Sequence, residues 1–246
     1  MILYGYSVNR DMVILAFDTS TKTASVALLQ NEVLIVEQII NTRKNHGETL
    51  LSAIESILAV AGMQIDDIEL VAVTIGPGSF TGLRVGAGTA KGLAFSKGIP
   101  IVGVSTLDAM AANAPSKKIT ICPMLDARKN EVYTAFYRMN RTGFPVRITD
   151  ERVISPELLL ADIDEDILYL GDGALAYGNL IRSKMHNKAH FVPAPLNYIR
   201  ASSVGLIGLK KFHDGDTLNS LMLTPRYVRL SEAETKGRAI KEGPST

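Results

Sequence analysis

The clearest pattern along the chain is an apolar run, Val71–Ile75, that breaks at Gly76-Pro77-Gly78 and gives way to helical spacing from Phe80 to Lys97. The run has strand character, and Ser79 or Thr81 is placed to cap the helix by offering a hydroxyl to its free N–H groups. Leu83, Ala87, Ala90 and Ala94 share one side of that helix, and Gly98 followed by Pro100 marks its end. Upstream, Val13–Ser20, Thr23–Gln30 and Val33–Ile40 read as three strands, with a tight Asn31-Glu32 connection between the last two. The stretch NHGETLLSAIESILAVAG reads as a helix with capping-box spacing at Asn45 and Glu48 and a stop at Gly62. Its apolar positions, Leu50, Leu51, Ile54, Ile57, Leu58 and Ala61, form a surface wider than one buried stripe needs. Part of that surface is therefore expected to face a partner. Ile101–Val104 gives a further strand and Ser105–Ala112 a helix.

The composition shifts at Asn113-Ala114-Pro115-Ser116-Lys117-Lys118, which places a boundary there. Beyond it the first pattern returns. ITICPMLDAR, EVYTAFYRM and VRITDERVIS read as three strands, and Pro156–Ala161 as a short helix. ILYLGDGA reads as a strand ending in a glycine turn, Leu175–Lys184 as a helix, Phe191-Val192-Pro193 as a strand, and Ser202–Phe212 as the last helix. Asp18 and Asp126 occupy equivalent first turns, and Gly76-Pro77-Gly78 and Gly171-Asp172-Gly173 equivalent later ones, at a period of about 110 residues. Two βββαβαβα halves with a cleft between them are the α/β layout of the actin/Hsp70/sugar-kinase architecture. The expected division is an extension over 1–11, subdomains over 12–112 and 113–213, and a C-terminal segment over 214–246 that is disordered beyond about residue 234.

Glycine is the anomaly of the Phe80–Lys97 helix. Gly82, Gly86, Gly88 and Gly92 each cost about 0.8–1.0 kcal/mol relative to Ala, roughly 3–4 kcal/mol together. Two readings stand: close packing of the helix on its own sheet, or a face that admits another helix or a ligand at backbone distance. No standard glycine motif fits. A Walker A loop fails because Lys91 follows Ala90 and precedes Gly92, the dinucleotide fingerprint because Thr81 replaces its third Gly, and a nucleophile elbow because Ser79 is followed by Phe80-Thr81. The Asp18-Thr19-Ser20-Thr21 turn also carries two readings. It faces a phosphate or magnesium ion, beside a Gly76–Gly78 turn capable of meeting an anion, or it satisfies its own backbone as an Asx or Ser/Thr turn.

With 246 residues, 46% of them hydrophobic, the chain can bury a substantial core. A net charge of +1 gives no field that favours nucleic acid or an anionic membrane. The single cysteine, Cys122, lies in an apolar run, excludes an internal disulfide and fits a reducing cytosol. No apolar run approaches the roughly 18 residues of a membrane span. The start MILYGYSVNRD lacks the features of a signal peptide, and Met12 directly precedes the first strand, so residues 1–11 are expected to be an extension from a misassigned start. Of the four histidines, His46 has Leu50 at i+4 and reads as a cap or interface residue. His186 and His190 are spaced i,i+4, without a carboxylate or cysteine nearby in the sequence. No H-E-x-x-H occurs to support a peptidase. Asp126, Arg128 and Glu131 read as a charged cluster near the cleft or as a local network that fixes its turn. In the tail, Tyr227 and Val228 either pin the segment to the body or contact a partner.

Several stretches resemble one family. ILAFDTSTKTASVAL, HGETLLSAIESIL, GPGSFTGLRVG, GVSTL, DARKNEVY and LTPRYVRLSEAE together are similar to the TsaB (YeaZ) family over roughly residues 12 to 232. The resemblance implies a cytoplasmic, non-catalytic subunit in the synthesis of threonylcarbamoyladenosine on tRNA. It implies a heterodimer with a TsaD-like catalytic paralogue, a TsaE-like ATPase as third member, and contact with tRNA only through the complex. ATP or ADP and metal are then expected on those partners or at a shared interface, with no cofactor of the chain's own. Where the catalytic paralogues carry an H-x-x-x-H metal pair, this chain has Thr106 and Met110, which cannot replace two imidazoles. Pairing of the two long helices with their counterparts is expected to use His46, Leu50, Leu51, Ile54, Leu58, Gly82, Arg84, Gly86, Ala87, Ala90 and Lys91, and to serve for a homodimer when the partner is absent. Gly86→Leu or Ala87→Arg is expected to block pairing and leave the fold intact. The alternative is an ATP-dependent kinase of the sugar or acetate type, using Asp18, Thr19, Ser20, Gly76 and Gly78.

Overall fold

A computed structural model describes residues 11–42, 46–115, 118–219 and 221–228, with the side chain of His46 left out. The first ten residues of the expected N-terminal extension, Asn45 of the capping box and the expected disorder beyond residue 234 lie outside these. The first sheet contains β1 (Val13–Asp18), β2 (Ala24–Gln30), β3 (Val33–Ile40), β4 (Leu70–Gly76) and β5 (Ile101–Ser105) in the order β3-β2-β1-β4-β5. β1–β2 and β2–β3 are antiparallel, and β1–β4 and β4–β5 parallel. Asn31 adopts φ 53° in the two-residue turn between β2 and β3, a left-handed conformation that Asn tolerates.

Both faces of this sheet are covered, which is why its inner strands are apolar without alternation. Leu15, Phe17, Val71 and Val73 point towards α1 (His46–Ala61) and α2 (Phe80–Lys97). Ile14, Ala16, Leu70 and Ala72 point the other way, into a core shared with α3 (Thr106–Ala111). The caps of α2 are local and match the sequence. Ser79 accepts a hydrogen bond from the Gly82 amide at 3.3 Å, and Gly98 ends the helix at φ 66°.

The second sheet repeats the first. β6 (Thr120–Asp126) pairs antiparallel with β7 (Val132–Thr134) and β8 (Tyr137–Met139). These pair in turn with β9 (Pro145–Arg147) and β10 (Arg152–Ile154), β8 with β9 and β7 with β10. After α4 (Pro156–Leu160), β11 (Ile167–Leu170) and β12 (Ala189–Phe191) extend the sheet in parallel on the other side of β6. Two expected strands are each split, one into β7 and β8 and the other into β9 and β10, and the cause of the first split is Pro123. Without an N–H it cannot donate to the neighbouring strand; the Thr134 hydroxyl donates to its carbonyl at 2.8 Å, and pairing resumes only at Ile121↔Tyr137. The expected Leu175–Lys184 helix is likewise two, α5 (Asp172–Ala176) and α6 (Gly178–Met185), broken at Tyr177.

The last helix, α7 (Ala201–His213), was grouped with the second half (113–213), yet it packs on the first sheet. A Cβ on Gly205 would lie 2.5 Å from Leu29 Cδ1, and one on Gly208 2.6 Å from Ala72 Cβ, so glycine permits the close approach. With α3 it fills the layer between the two sheets, where Ile14, Ala72, Val104, Ile121, Tyr137, Leu170 and Val204 belong to one continuous core. The halves therefore share a base.

Candidate functional site

The turns at the carboxyl ends of both sheets meet around a cavity of about 490 Å³. From the first half it is lined by Ser20, Lys22, Gly78 and Phe80, and from the second by Asp126, Arg128, Lys129 and Asp172. Each glycine turn rests on its own first turn. In the first half the Ser79 amide donates to the Ser20 carbonyl at 2.6 Å, and a Cβ on Gly78 would strike that carbonyl. In the second half the Asp126 amide donates to Asp172 Oδ1 at 3.0 Å, while a Cβ on Gly171 would strike the Met124 carbonyl. The equivalence read from spacing is thus a geometric one.

Of the nucleotide-site candidates, Asp18 and Thr19 are turned inward. Asp18 Oδ1 accepts from the Ser20 amide at 3.0 Å, the Ser20 hydroxyl at 2.5 Å and the Thr74 hydroxyl at 2.6 Å, and the residue is buried. The Thr19 hydroxyl donates to the Gly82 carbonyl at 2.7 Å. The bond from the Ser20 amide closes an Asx turn, and those of Thr74 and Thr19 tie that turn to β4 and to the first turn of α2. Ser20 and Gly78 line the cavity; Gly76 lies below it, closed over by the Arg226 carbonyl.

Opposite, Arg128, Lys129 and Asn130 all have positive φ, at 62°, 53° and 57°. Asp126 holds this strained turn by accepting from the Arg128 amide at 2.9 Å, with the Arg128 guanidinium 3.8 Å from its other oxygen. Burial raises the Asp172 carboxyl above its ordinary range, and the neighbouring Asp126 charge adds to the shift, partly offset by amide donors. The basic residues of this cavity, Lys22, Arg128, Lys129 and Arg226, went unnoticed as a group because three separate turns supply them.

His190 does have a carboxylate partner, Asp166 at 2.7 Å, brought near by the parallel β11–β12 pairing. Among the described residues no group of three or more His, Cys, Asp or Glu side chains is arranged to hold a metal.

The expected partner face needs a correction. Leu50, Ile54 and Leu58 on α1, and Gly82, Gly86, Ala87 and Ala90 on α2, are buried inside the chain's own fold. They are consumed by the first sheet and by the contact between the two helices, so they do not face a partner. A Cβ on Gly86 would lie 2.7 Å from Thr19 Oγ1, and Ala87 belongs to the core under α2. Gly86→Leu and Ala87→Arg would therefore damage the fold itself. Of the expected residues Leu51, Arg84 and Lys91 do reach the surface, and Val60, Phe95, Gly88 and Gly92 join them there. Leu51 is 53% exposed, Val60 73% and Phe95 72%, Arg84 is exposed, Lys91 is half-buried, and nothing lies within 4 Å of a Cβ built on Gly88 or Gly92.

Comparison with known proteins decides the family. The model of the family described as TsaD, tRNA N6-adenosine threonylcarbamoyltransferase, matches residues 34–236. The tRNA threonylcarbamoyladenosine biosynthesis protein TsaB of Bacillus subtilis is 34% identical over 227 residues, covering 92% of this chain and 97% of the relative. The chain belongs to the TsaB family. The Escherichia coli TsaB is 31% identical over 233 residues, covering 92% of this chain and 98% of its own length. YeaZ from Pseudomonas aeruginosa superposes with a TM-score of 0.75 at 28% identity, over 88% of this chain and 99% of that one. A second Pseudomonas aeruginosa structure, described as uncharacterized with similarity to peptidase YEAZ, gives a TM-score of 0.75 at 27% identity, over 89% of this chain and 100% of that one. The two-sheet α/β architecture is the actin/Hsp70/sugar-kinase-like one. In this TsaB-family chain Thr106 and Met110, the positions of the paralogues' expected metal pair, are both buried in α3 and its core.

Proposed function

We propose that this chain is a non-catalytic subunit in the synthesis of threonylcarbamoyladenosine on tRNA. It pairs through the outer faces of α1 and α2 with a TsaD-like catalytic subunit and works with a TsaE-like ATPase. The observation that carries the pairing is the open space over Gly88 and Gly92. Two solvent-facing glycines in the middle of an 18-residue helix cost about 2 kcal/mol of helix preference with no return from the chain's own packing. A second helix at backbone distance supplies that return, and Phe95, exposed on the same side of α2 as the two glycines, adds apolar area. Burial of Thr106 and Met110 supports placing the chemistry on the partner.

The test measures threonylcarbamoyladenosine in bulk tRNA by nucleoside mass spectrometry after depletion of the protein. The modified nucleoside is expected to fall, and to recover with wild type but not with a Gly88→Arg, Gly92→Arg double variant. Unchanged nucleoside on depletion would overturn the function, and full recovery with the double variant would overturn the interface.

A further inference from the structure

Between β9 and β10 the chain leaves the second sheet and carries Glu151 into the boundary between the halves, where its side chain is wholly buried. Ser105, the N-cap of α3 in the first half, donates to Glu151 Oε1 at 2.5 Å. Arg147 of the second half lies 2.8 Å from the same oxygen and 2.7 Å from Asp108 of α3, and the Tyr137 hydroxyl donates to Asp108 at 2.8 Å. Buried charges need this degree of pairing.

The C-terminal segment adds the last cation. The Arg226 guanidinium lies 3.3 Å from Glu151 Oε2 in the second half, while the Arg226 amide donates to the Ile75 carbonyl in the first at 2.6 Å. One residue thus holds one half by its main chain and the other by its side chain. Its neighbours fix it in place. Leu223 is fully buried in the core under α2, and Tyr227 stacks on Phe80 with ring centroids 4.6 Å apart. Arg84 lies over the Phe80 ring at 3.9 Å and donates to the Tyr227 hydroxyl at 3.3 Å. Gly76, at φ 121°, leaves the room a side chain would deny to the Arg226 carbonyl. Arg226, Tyr227 and Val228 then form a wall of the cleft cavity.

Halves that share a base move about it, and a ligand touching both sides ordinarily sets their opening. We propose that Leu223–Val228 is an internal bridging ligand, a strap that fixes the opening between the two halves and ties it to the first turns of α2. The chain supplies from its own tail what a two-lobed cleft otherwise takes from a bound molecule. The proposal concerns the isolated protein and does not depend on the partner assignment.

The experiment compares full-length wild type with Arg226→Ala, Tyr227→Ala and the double variant. Hydrogen–deuterium exchange is read at the cleft turns around residues 20–22 and 126–130 and in the sheet interiors. Spin labels at Glu55→Cys and Lys184→Cys, exposed sites on the outer helices of the two halves, report the distance between them, and the buried Cys122 stays unlabelled. Expected are a native circular dichroism spectrum, about tenfold faster exchange at both cleft turns, unchanged exchange in the sheets, and a broader or longer label distance. Exchange and distances identical to wild type would overturn the strap. Global unfolding of both single variants would overturn it too, since the segment would then be core.

Discussion

Gly86 and Gly88 lie on the same helix under opposite constraints. A methyl at Gly86 meets Thr19 Oγ1 at 2.7 Å and Val73 Cγ2 at 3.4 Å, and Thr19 is itself anchored to the Gly82 carbonyl, so it has nowhere to swing. Overpacking of about 1–3 kcal/mol outweighs the gain of about 1 kcal/mol in helix preference, and Gly86→Ala is expected to lower the urea midpoint. Gly88→Ala meets nothing and is expected to raise the stability of the isolated chain by about 0.5–1 kcal/mol. Equal effects at the two positions in equilibrium unfolding would contradict this account. Cys122 makes a second residue-level prediction. Burial raises its thiol from 9.0 to about 12, against smaller lowering effects of Thr134 and Arg152. The unfolded thiol ionises first, so the stabilisation is complete below pH 9 and is lost as pH rises from 9 towards 12, at up to about 1.4 kcal/mol per pH unit. The stability gap between wild type and Cys122→Ala is expected to narrow across that window. A constant gap in urea titrations would refute it.

At the scale of elements, legibility followed locality. The bounds of α2 and the β2–β3 turn were readable because Ser79, Gly98 and Asn31 act on their own backbone. The split of β7 from β8 was not, because its cause, Pro123, sits on the neighbouring strand. The buried members of the expected partner face, Leu50, Ile54, Leu58, Gly82, Gly86, Ala87 and Ala90, were misplaced for a related reason. Periodicity reports that α1 and α2 have apolar sides, but not how much of each side the chain's own sheet and the adjoining helix consume. The cleft was legible as paired turns and illegible as a basic pocket, since Arg226 reaches it from far along the chain. Asp172 offers an element-level test of the second glycine turn. Asp172→Asn keeps an oxygen for the Asp126 amide and removes a buried charge beside Asp126, so it is expected to match or exceed wild-type stability at neutral pH. Asp172→Ala leaves that amide without its acceptor and is expected to cost about 1–3 kcal/mol. A larger loss with Asn than with Ala in thermal unfolding would refute the role of that bond.

For the whole molecule, the decisive feature is the core between the sheets, which draws side chains from both halves and from α3 and α7. Two halves that share their largest core are expected to unfold together. Scanning calorimetry should give one transition with equal calorimetric and van't Hoff enthalpies; two resolved transitions would show independent halves.

The broken helix at Tyr177 has a further consequence. In the first half α1 and α2 are 16 and 18 residues long, whereas in the second half α4, α5 and α6 have 5, 5 and 8. A duplicated body with two equal sticky faces would have a valence of two and could grow without limit into filaments. With the helices of one copy shortened, a single long pair remains. On the pairing proposed above, association through α1 and α2 ends once one partner is bound, and the short helices of the second half then act as a chain stopper for a molecule built by repetition.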